Sequence, residues 1–540
     1  MYNKKWKGKF GMKNRPLKAI ALLVMIIIFS MTLGYSVLVQ KLEIMGNATI
    51  DSTDYLIEIT SITVLKKEGE AYQNANPTFN KTEGTMYSSI PNTSSGIIYK
   101  ITIKNKGLTS GVLDYTFVSI DNSNIKYKIG GINNGDIIAA GESAEVTVEF
   151  ETWDDVKNIT NAQVSSIIDF EFIPYSDSYS QACTLQWDGT SSQEPSKKTI
   201  YGVEYYQISN ANELNWFANT VNSGRKDINA ILTKNICLNS KALAQIGTEG
   251  YNGIFDGQNR TIQGYNSTRN TIVQKELTYL YAGLFKTNNG TIKNLNLNGT
   301  TYERSEINPD TSRDYNVYAY TGGIVTENNG KISNCSVSGA MEARHTVRTN
   351  CFVNRPTLYG YVGMVAAVNN GVITGTYNKA TLATSSNNRK NACTYTGTIK
   401  LYVGGIVGTN NGYVSDSYNN NTISSDGSVK SRYCLSYFRI GGIIGDFTSG
   451  SIKNSYNSGN IVQTIDVEGG AIEEELLGGA IGLSNGTLTN VYYLDSVGYS
   501  GAGTTVSAND LSNLNISLGN YYNKDSKTQN GGYPILKWQR

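Results

Sequence analysis

Charge is scarce in this chain of 540 residues: Asp, Glu, Lys and Arg together make up only 17%, and there is a single histidine, His345. One histidine excludes a zinc site of the His-Glu-x-x-His type, and no serine carries the flanking signature of a Ser/His/Asp triad. Proline is also sparse, at 8 residues, so long strands can run without interruption. With hydrophobic residues at 39%, the chain is too apolar for disorder and too polar for a multi-span membrane protein. The six cysteines (183, 237, 335, 351, 393 and 434) have no metal-ligand spacing. The basic residues Lys4, Lys5, Lys7, Lys9, Lys13, Arg15 and Lys18 precede residue 19 with no acid among them. The remainder is mildly acidic, and nothing in it reads as a nucleic-acid groove.

Glycine (55) and tyrosine (37, against 13 phenylalanines) are abundant, and both favour β structure rich in tight turns. Ala19 to Gln40 carries no charge and is long enough to span roughly 30 Å of hydrocarbon. With basic residues in front, residues 1–40 are expected to be a signal-anchor or a cleaved signal peptide, the body lying outside. Residues 41–175 show period-two runs (Tyr55 to Val64, Ile97 to Ile103, Val112 to Ile120, Ala144 to Phe150) and predict an antiparallel β-sandwich. Residues 176–199 read as a linker. Residues 200–265 predict a solenoid cap, with a helix capped by Asn210 and Glu213, an apolar stripe of Leu214, Phe217 and Val221, and a stop at Gly224.

Between 266 and 500 six segments repeat. Their central turn glycines fall at 290, 330, 371, 412, 450 and 486, which predicts a right-handed parallel β-solenoid. Leu284, Ile324, Met364, Ile406, Ile443 and Ala480 form one apolar column; Ile292, Ile332, Ile373, Val414, Ile452 and Leu488 form another. The Asn-Gly turns are expected at positive φ. Tyr377, Tyr418, Tyr456 and Tyr492 share a column that predicts an aromatic ladder, read as structural stacking, with a sugar-binding strip as the alternative. Further aromatics precede the Gly pairs, as at Tyr279 and Tyr281. The segments at about 300–315, 342–357, 383–398, 424–436 and 462–475 vary and are expected to hang as ligand-facing loops. His345 lies in one of them and is expected to be solvated. Glu473, Glu474 and Glu475 read as a solvated run in another, and Asp416 as a turn position in a column of asparagines. Cys335 is expected to be a small buried hydrophobe; Cys351, Cys393 and Cys434 are candidates for disulfide pairing. Residues 501–540 predict a C-terminal cap, with Ser507 and Asp510 starting a helix. No catalytic residue, metal ligand or cofactor site is assigned.

Two resemblances sharpen this. Leu33-Gly34-Tyr35-Ser36, Leu42 to Ile50, Ile98 to Asn105 and Ala140-Gly141-Glu142-Ser143 resemble the small immunoglobulin-like domains that follow the export segment in Firmicute surface proteins. Gly404 to Gly412, Ile246-Gly247-Thr248, Phe255-Asp256-Gly257 and the ending Tyr533 to Trp538 are similar to the GLUG-motif repeat proteins of bacterial surfaces. The fifth and sixth repeats depart from it, with Thr448-Ser449-Gly450 and Ser484-Asn485-Gly486 in place of Asn-Asn-Gly. The resemblance implies a surface or secreted location, membrane-anchored through the N-terminus or released. The expected function is non-enzymatic adhesion or matrix formation, through a glycan or a host or matrix protein. A polysaccharide- or mucin-degrading solenoid enzyme and a purely structural stalk are the alternatives.

Overall fold

A computed structural model describes residues 56–107, 110–132, 136–174, 187–200, 202–273, 277–307, 316–349, 356–390, 397–430, 434–514, 517–519 and 521–539. The apolar segment within 1–40 and Cys183, Cys351 and Cys393 lie outside these. No helix among the described residues is long and apolar enough to cross a membrane.

The N-terminal domain is a β-sandwich. One antiparallel sheet has the order Ile57–Glu68, Gly96–Asn105, Ser143–Thr152, Ile125–Gly130; the other has the order Tyr72–Asn80, Glu83–Ile90, Ala162–Pro174, Gly111–Ile120, Ile137–Ile138. Alternating inward residues, among them Tyr99, Ile101, Val148, Phe150, Ile168 and Phe170, build its core. The strand Tyr72–Asn80 escapes a hydropathy reading because none of its side chains is buried. Part of the expected linker is structured. Trp187 is buried in the solenoid core, and Ser196–Ile200 pairs antiparallel with Val203–Ile208.

The cap helix spans Ala211–Asn222. Asn210 Oδ1 accepts from the Glu213 N–H at 3.1 Å, satisfying an orphan donor of the first turn, and Glu213 Oε2 accepts from the N–H of Ser209, just before the cap, at 2.6 Å. Leu214, Phe217 and Val221 seal the first coil. Each repeat then makes one wide coil, because equivalent residues of successive repeats are direct parallel partners: Ile292 with Ile332, Ile332 with Ile373, Ile373 with Val414 and Val414 with Ile452. Both apolar columns point inward. At the far end Ser507 caps the helix Ala508–Ser512, and Leu511 and Leu518 are buried.

The turn glycines serve a different purpose from the expected one. Gly290, Gly330, Gly371 and Gly412 are not at positive φ. A Cβ on each would instead lie 2.1 Å from a carbonyl oxygen of the preceding coil. Positive φ falls four residues on, at Asn294, Asn334, Gly375, Asp416, Asn454 and Asn490. Each Asn-Asn pair also divides its labour. The first forms a buried amide ladder, Asn288 to Asn328 to Asn369 to Asn410, with Nδ2 to Oδ1 distances of 2.7–2.8 Å. The second forms an exposed one, at 2.8–3.1 Å. Phe447 ends the buried ladder in the fifth coil, where the Asn-Asn-Gly pattern lapses. Asn328→Ala leaves two buried neighbours short of a partner and is expected to cost about 1–3 kcal/mol, measurable by urea unfolding.

Where they are described, the variable segments are strands, not hanging loops. Asn296–Ile307, Ser336–Thr349, Thr381–Lys390, Ile423–Lys430 and Ile461–Val467 run outward in parallel register; Asn316–Gly322, Thr357–Gly363, Gly397–Gly404, Cys434–Gly441 and Ala471–Gly478 return. Together they make a two-layered wing, with an apolar cluster of Val273, Ile307, Val317, Val347, Leu358 and Ile399. Their alternation is hard to read because several inward positions are polar, such as Glu303 and Ser305.

Sandwich and solenoid belong to one compact unit, Asp54–Arg540. Phe117 packs in an apolar cluster with Ile200, Tyr205 and Ile231. Asp154 bonds to Lys453 at 2.6 Å and accepts from the Ser415 hydroxyl at 2.6 Å. Asp416, the acid in the asparagine column, is buried here. Burial pushes its carboxyl up to about 6, against the opposing pull of Lys128 and Lys126.

Candidate functional site

The tyrosine column, read first as structural stacking and alternatively as a sugar-binding strip, is covered. Tyr377, Tyr418 and Tyr456 do form a ladder, with ring centroids 5.2 and 4.9 Å apart and planes within 8°. The C-terminal segment lies over it. Trp538 packs on Tyr377 at 5.4 Å, the Tyr418 hydroxyl donates to Gln539 Oε1 at 2.7 Å, and the Tyr456 hydroxyl donates to the Pro534 carbonyl. Tyr418 and Tyr456 are fully buried. Tyr492 is the register partner of Tyr456, yet the ring packed on Tyr456 from the cap is Tyr522, 6.0 Å away. This ladder is a structural seam.

Two other tyrosine ladders lie on the outer face of the returning wing strands. Tyr279, Tyr318 and Tyr359 stack at 5.3 and 4.7 Å; Tyr281, Tyr320 and Tyr361 stack at 5.1 and 4.9 Å, and Tyr402 follows at 5.2 Å. The coil spacing of a parallel sheet sets this interval. The columns lie two positions apart along each strand, with one residue between, so both point to the same side. Tyr279, at the edge, is 50% exposed. Along the rest, ring faces are turned to one another and the side chains are half-buried, except Tyr402, which is buried. Burial within the stack, reinforced by Glu327, pushes the Tyr281 phenol up to about 12; burial does the same to Tyr402 against the pull of Arg439. The Tyr281 and Tyr402 hydroxyls therefore stay protonated at neutral pH.

Each ladder runs into a basic side chain, and that of the second, Arg439, is neutralised by Asp446 at 3.1 Å and by Glu474. Lys400 takes the next place in the first column, 5.5 Å from the Tyr359 ring and 4.9 Å from that of Tyr437. Arg439 takes the next place in the second, 5.4 Å from Tyr402, and forks onto Glu474 at 2.5 and 3.2 Å. The acidic run is thus part of a strand, with Glu473 and Glu475 exposed and Glu474 paired. Sequence reasoning marked these aromatics as strand residues before the Gly pairs. The signal for an outer face was their two-residue spacing at a constant offset from those glycines.

His345 is not solvated. It is fully buried inside the wing, its Nε2 3.4 Å from the Oε2 of an equally buried Glu303. Gly360 makes room for it, since a Cβ there would sit 2.7 Å from Nε2. Burial lowers His345 to about 4 and raises Glu303 to about 8, so both are neutral near pH 6. Among the cysteines, Cys335 is the buried thiol expected, Cys434 is also a buried thiol, and Cys237 is disulfide-bonded. No group of three or more His, Cys, Asp or Glu among the described residues could hold a metal ion.

No family model matches the chain, and no curated protein does. Among solved structures it is similar to an IgA1 protease, at 14% identity and a TM-score of 0.27, over 84% of this chain and 29% of that one. It therefore spans less than a third of that protein's length. It is also similar to the catalytic domain of a GH87 α-1,3-glucanase in complex with nigerose, at 11% identity and a TM-score of 0.12, over 76% of this chain and 98% of that domain. Likenesses this weak carry neither substrate nor chemistry across.

Proposed function

We propose that the protein is a non-enzymatic adhesion or matrix protein of the cell surface or its surroundings, and that the open tyrosine ladders meet a protein partner. The observation behind this reading is the pair of ladders on one face. Six partly exposed tyrosines are held at fixed spacing, with the buried Tyr402 stacked behind the second column, so their contact area is gained with little loss of side-chain freedom. Partly exposed side chains of this kind suit a protein surface, where tyrosine combines apolar area with a polar tip. A glycan stacking on open ring faces would find one only near Tyr279. The carboxylate of Glu474 is committed to Arg439, which argues against its serving as an acid or base. An extracytoplasmic location is supported by the disulfide at Cys237 and by the basic, then apolar, start of the chain.

The test is binding of wild-type protein and a Tyr318→Ser, Tyr320→Ser, Tyr359→Ser variant to arrayed extracellular proteins. These outward side chains can be cut back without opening the core, so the circular dichroism spectrum should be retained. Retention of a partner by wild type, weakened at least tenfold in the variant, is the expected outcome. Equal retention by both would remove the ladders from the interface.

A further inference from the structure

A concavity lies where the sandwich meets the solenoid. It has a volume of about 560 Å³, within the range of small-ligand sites, and none of the ladder tyrosines lines it. Its walls come from both domains. The sandwich supplies Trp153 and Tyr127, and the solenoid supplies the turns carrying Asn289, Asn329 and Lys331. The cleft is preformed, because the domains are locked beside it by the apolar cluster around Phe117 and by a 2.9 Å bond from Lys293 Nζ to the Tyr127 hydroxyl.

Two features of the lining ask for a ligand. The first is the exposed amide ladder. Asn289 donates one N–H to Asn252 Oδ1 at 3.1 Å and accepts from Asn329 at 3.1 Å. Each side-chain amide has two N–H donors and two lone pairs, so a donor and an acceptor per coil are left over at a fixed interval. Paired donors and acceptors in a row match vicinal hydroxyls. The second is Lys331. It is half-buried, its Nζ donates to the Ser123 carbonyl at 3.2 Å and lies 4.2 Å from the centroid of the Trp153 ring. Among the described residues no carboxylate lies within ion-pair distance of it. Asp155 acts on it from beyond that distance, and a partly desolvated ammonium with no directly paired carboxylate favours an anion beside it. Asp121 and Asp155 line the same cleft and are exposed. They disfavour a densely charged polyanion and leave room for one carboxylate next to Lys331.

We infer that this cleft binds an acidic saccharide of the uronic acid class, its carboxylate on Lys331 and its hydroxyls on the Asn289 and Asn329 amides. Recognition is by charge and hydrogen bonding, with Trp153 as an apolar wall. The inference stands apart from the tyrosine face and from the protein partner proposed for it.

The experiment titrates the full chain with a glucuronate–N-acetylglucosamine tetrasaccharide and with a galacturonate trimer, following tryptophan fluorescence and calorimetry. Carboxyl-reduced forms of both serve as controls. At least one acidic probe is expected to bind, and its reduced form at least tenfold more weakly. Lys331→Met keeps the apolar stem and drops the charge. It is expected to lose the preference for the acidic over the reduced probe, while Asn329→Ala weakens both alike. The Tyr318→Ser, Tyr320→Ser, Tyr359→Ser variant should bind as wild type does. Failure of both acidic probes to bind would overturn the assignment, as would undiminished preference in a Lys331→Met protein with an unchanged melting curve.

Discussion

Gly371→Ala is expected to destabilise the solenoid by about 3 kcal/mol, the upper end for an overpacked site. The added Cβ would lie 2.1 Å from the Gly330 carbonyl oxygen, a backbone atom that also accepts the Val372 N–H of the next coil at 2.9 Å. Neither coil can retreat without breaking parallel pairs on both sides. Gly375→Asn is the matched control. Gly375 sits at φ +61°, a conformation that Asn334 and Asn454 adopt in other coils at +51° and +47°. Its new Cβ would meet only the end of a flexible side chain, Asn334 Oδ1, closer than 3 Å. The expected change is within about 0.5 kcal/mol, as for a substitution that suits its backbone. Urea unfolding of the two variants checks the pair. Equal destabilisation would mean that backbone angle, not coil-to-coil approach, selects the turn glycine.

Stability is expected to fall by about 2 kcal/mol between pH 6.5 and 8, and Glu303→Gln is expected to abolish that fall. Glu303 has a folded pKa of about 8, above its ordinary 4.5. The folded state therefore holds a proton that the unfolded chain has lost, and stability declines as pH rises between those values. His345 has a folded pKa of about 4, below its ordinary 6.5, so its contribution declines as pH falls between 6.5 and 4. The two slopes oppose each other from about 4.5 to 6.5 and leave a plateau. Above 6.5 only the Glu303 slope remains. The buried surroundings offer no charged relief: Ser305 and Ser386 flank His345 in register, Ala343 flanks Glu303, and Gly360 faces the imidazole. Asp416, raised to about 6, acts only below that pH. Hydrogen exchange of Asn296–Ile307 reports the wing directly. A variant that still loosens above pH 6.5 would show that the proton belongs elsewhere.

Much of this architecture was legible in the residues. Turn glycines 36–41 residues apart gave the coil register, and the two apolar columns gave the core. The cap helix was readable from Asn210 and Glu213 because a capping box is local chemistry. Features set by the neighbouring coil were not. The Asn-Gly turn looks like a positive-φ turn until the carbonyl beneath it is placed. Inside the wing, alternation is present but Glu303, Ser305 and His345 occupy inward positions, so hydropathy makes strands look like loops. The column was correctly read as a ladder at Tyr377, Tyr418 and Tyr456 but not at Tyr492, and its burial depends on Trp538 and Gln539, more than 80 residues beyond Tyr456 along the chain. The open ladders were visible only as strand aromatics.

The central claim is that the protein binds its partner without altering it. The direct measurement is to incubate the purified protein with extracellular proteins, mucins and polysaccharides, and to weigh both the retained and the soluble material by mass spectrometry. Retention of an intact partner, lost in the Tyr318→Ser, Tyr320→Ser, Tyr359→Ser variant, is the predicted result. New, shorter products that depend on the protein would contradict it and make the solenoid an enzyme.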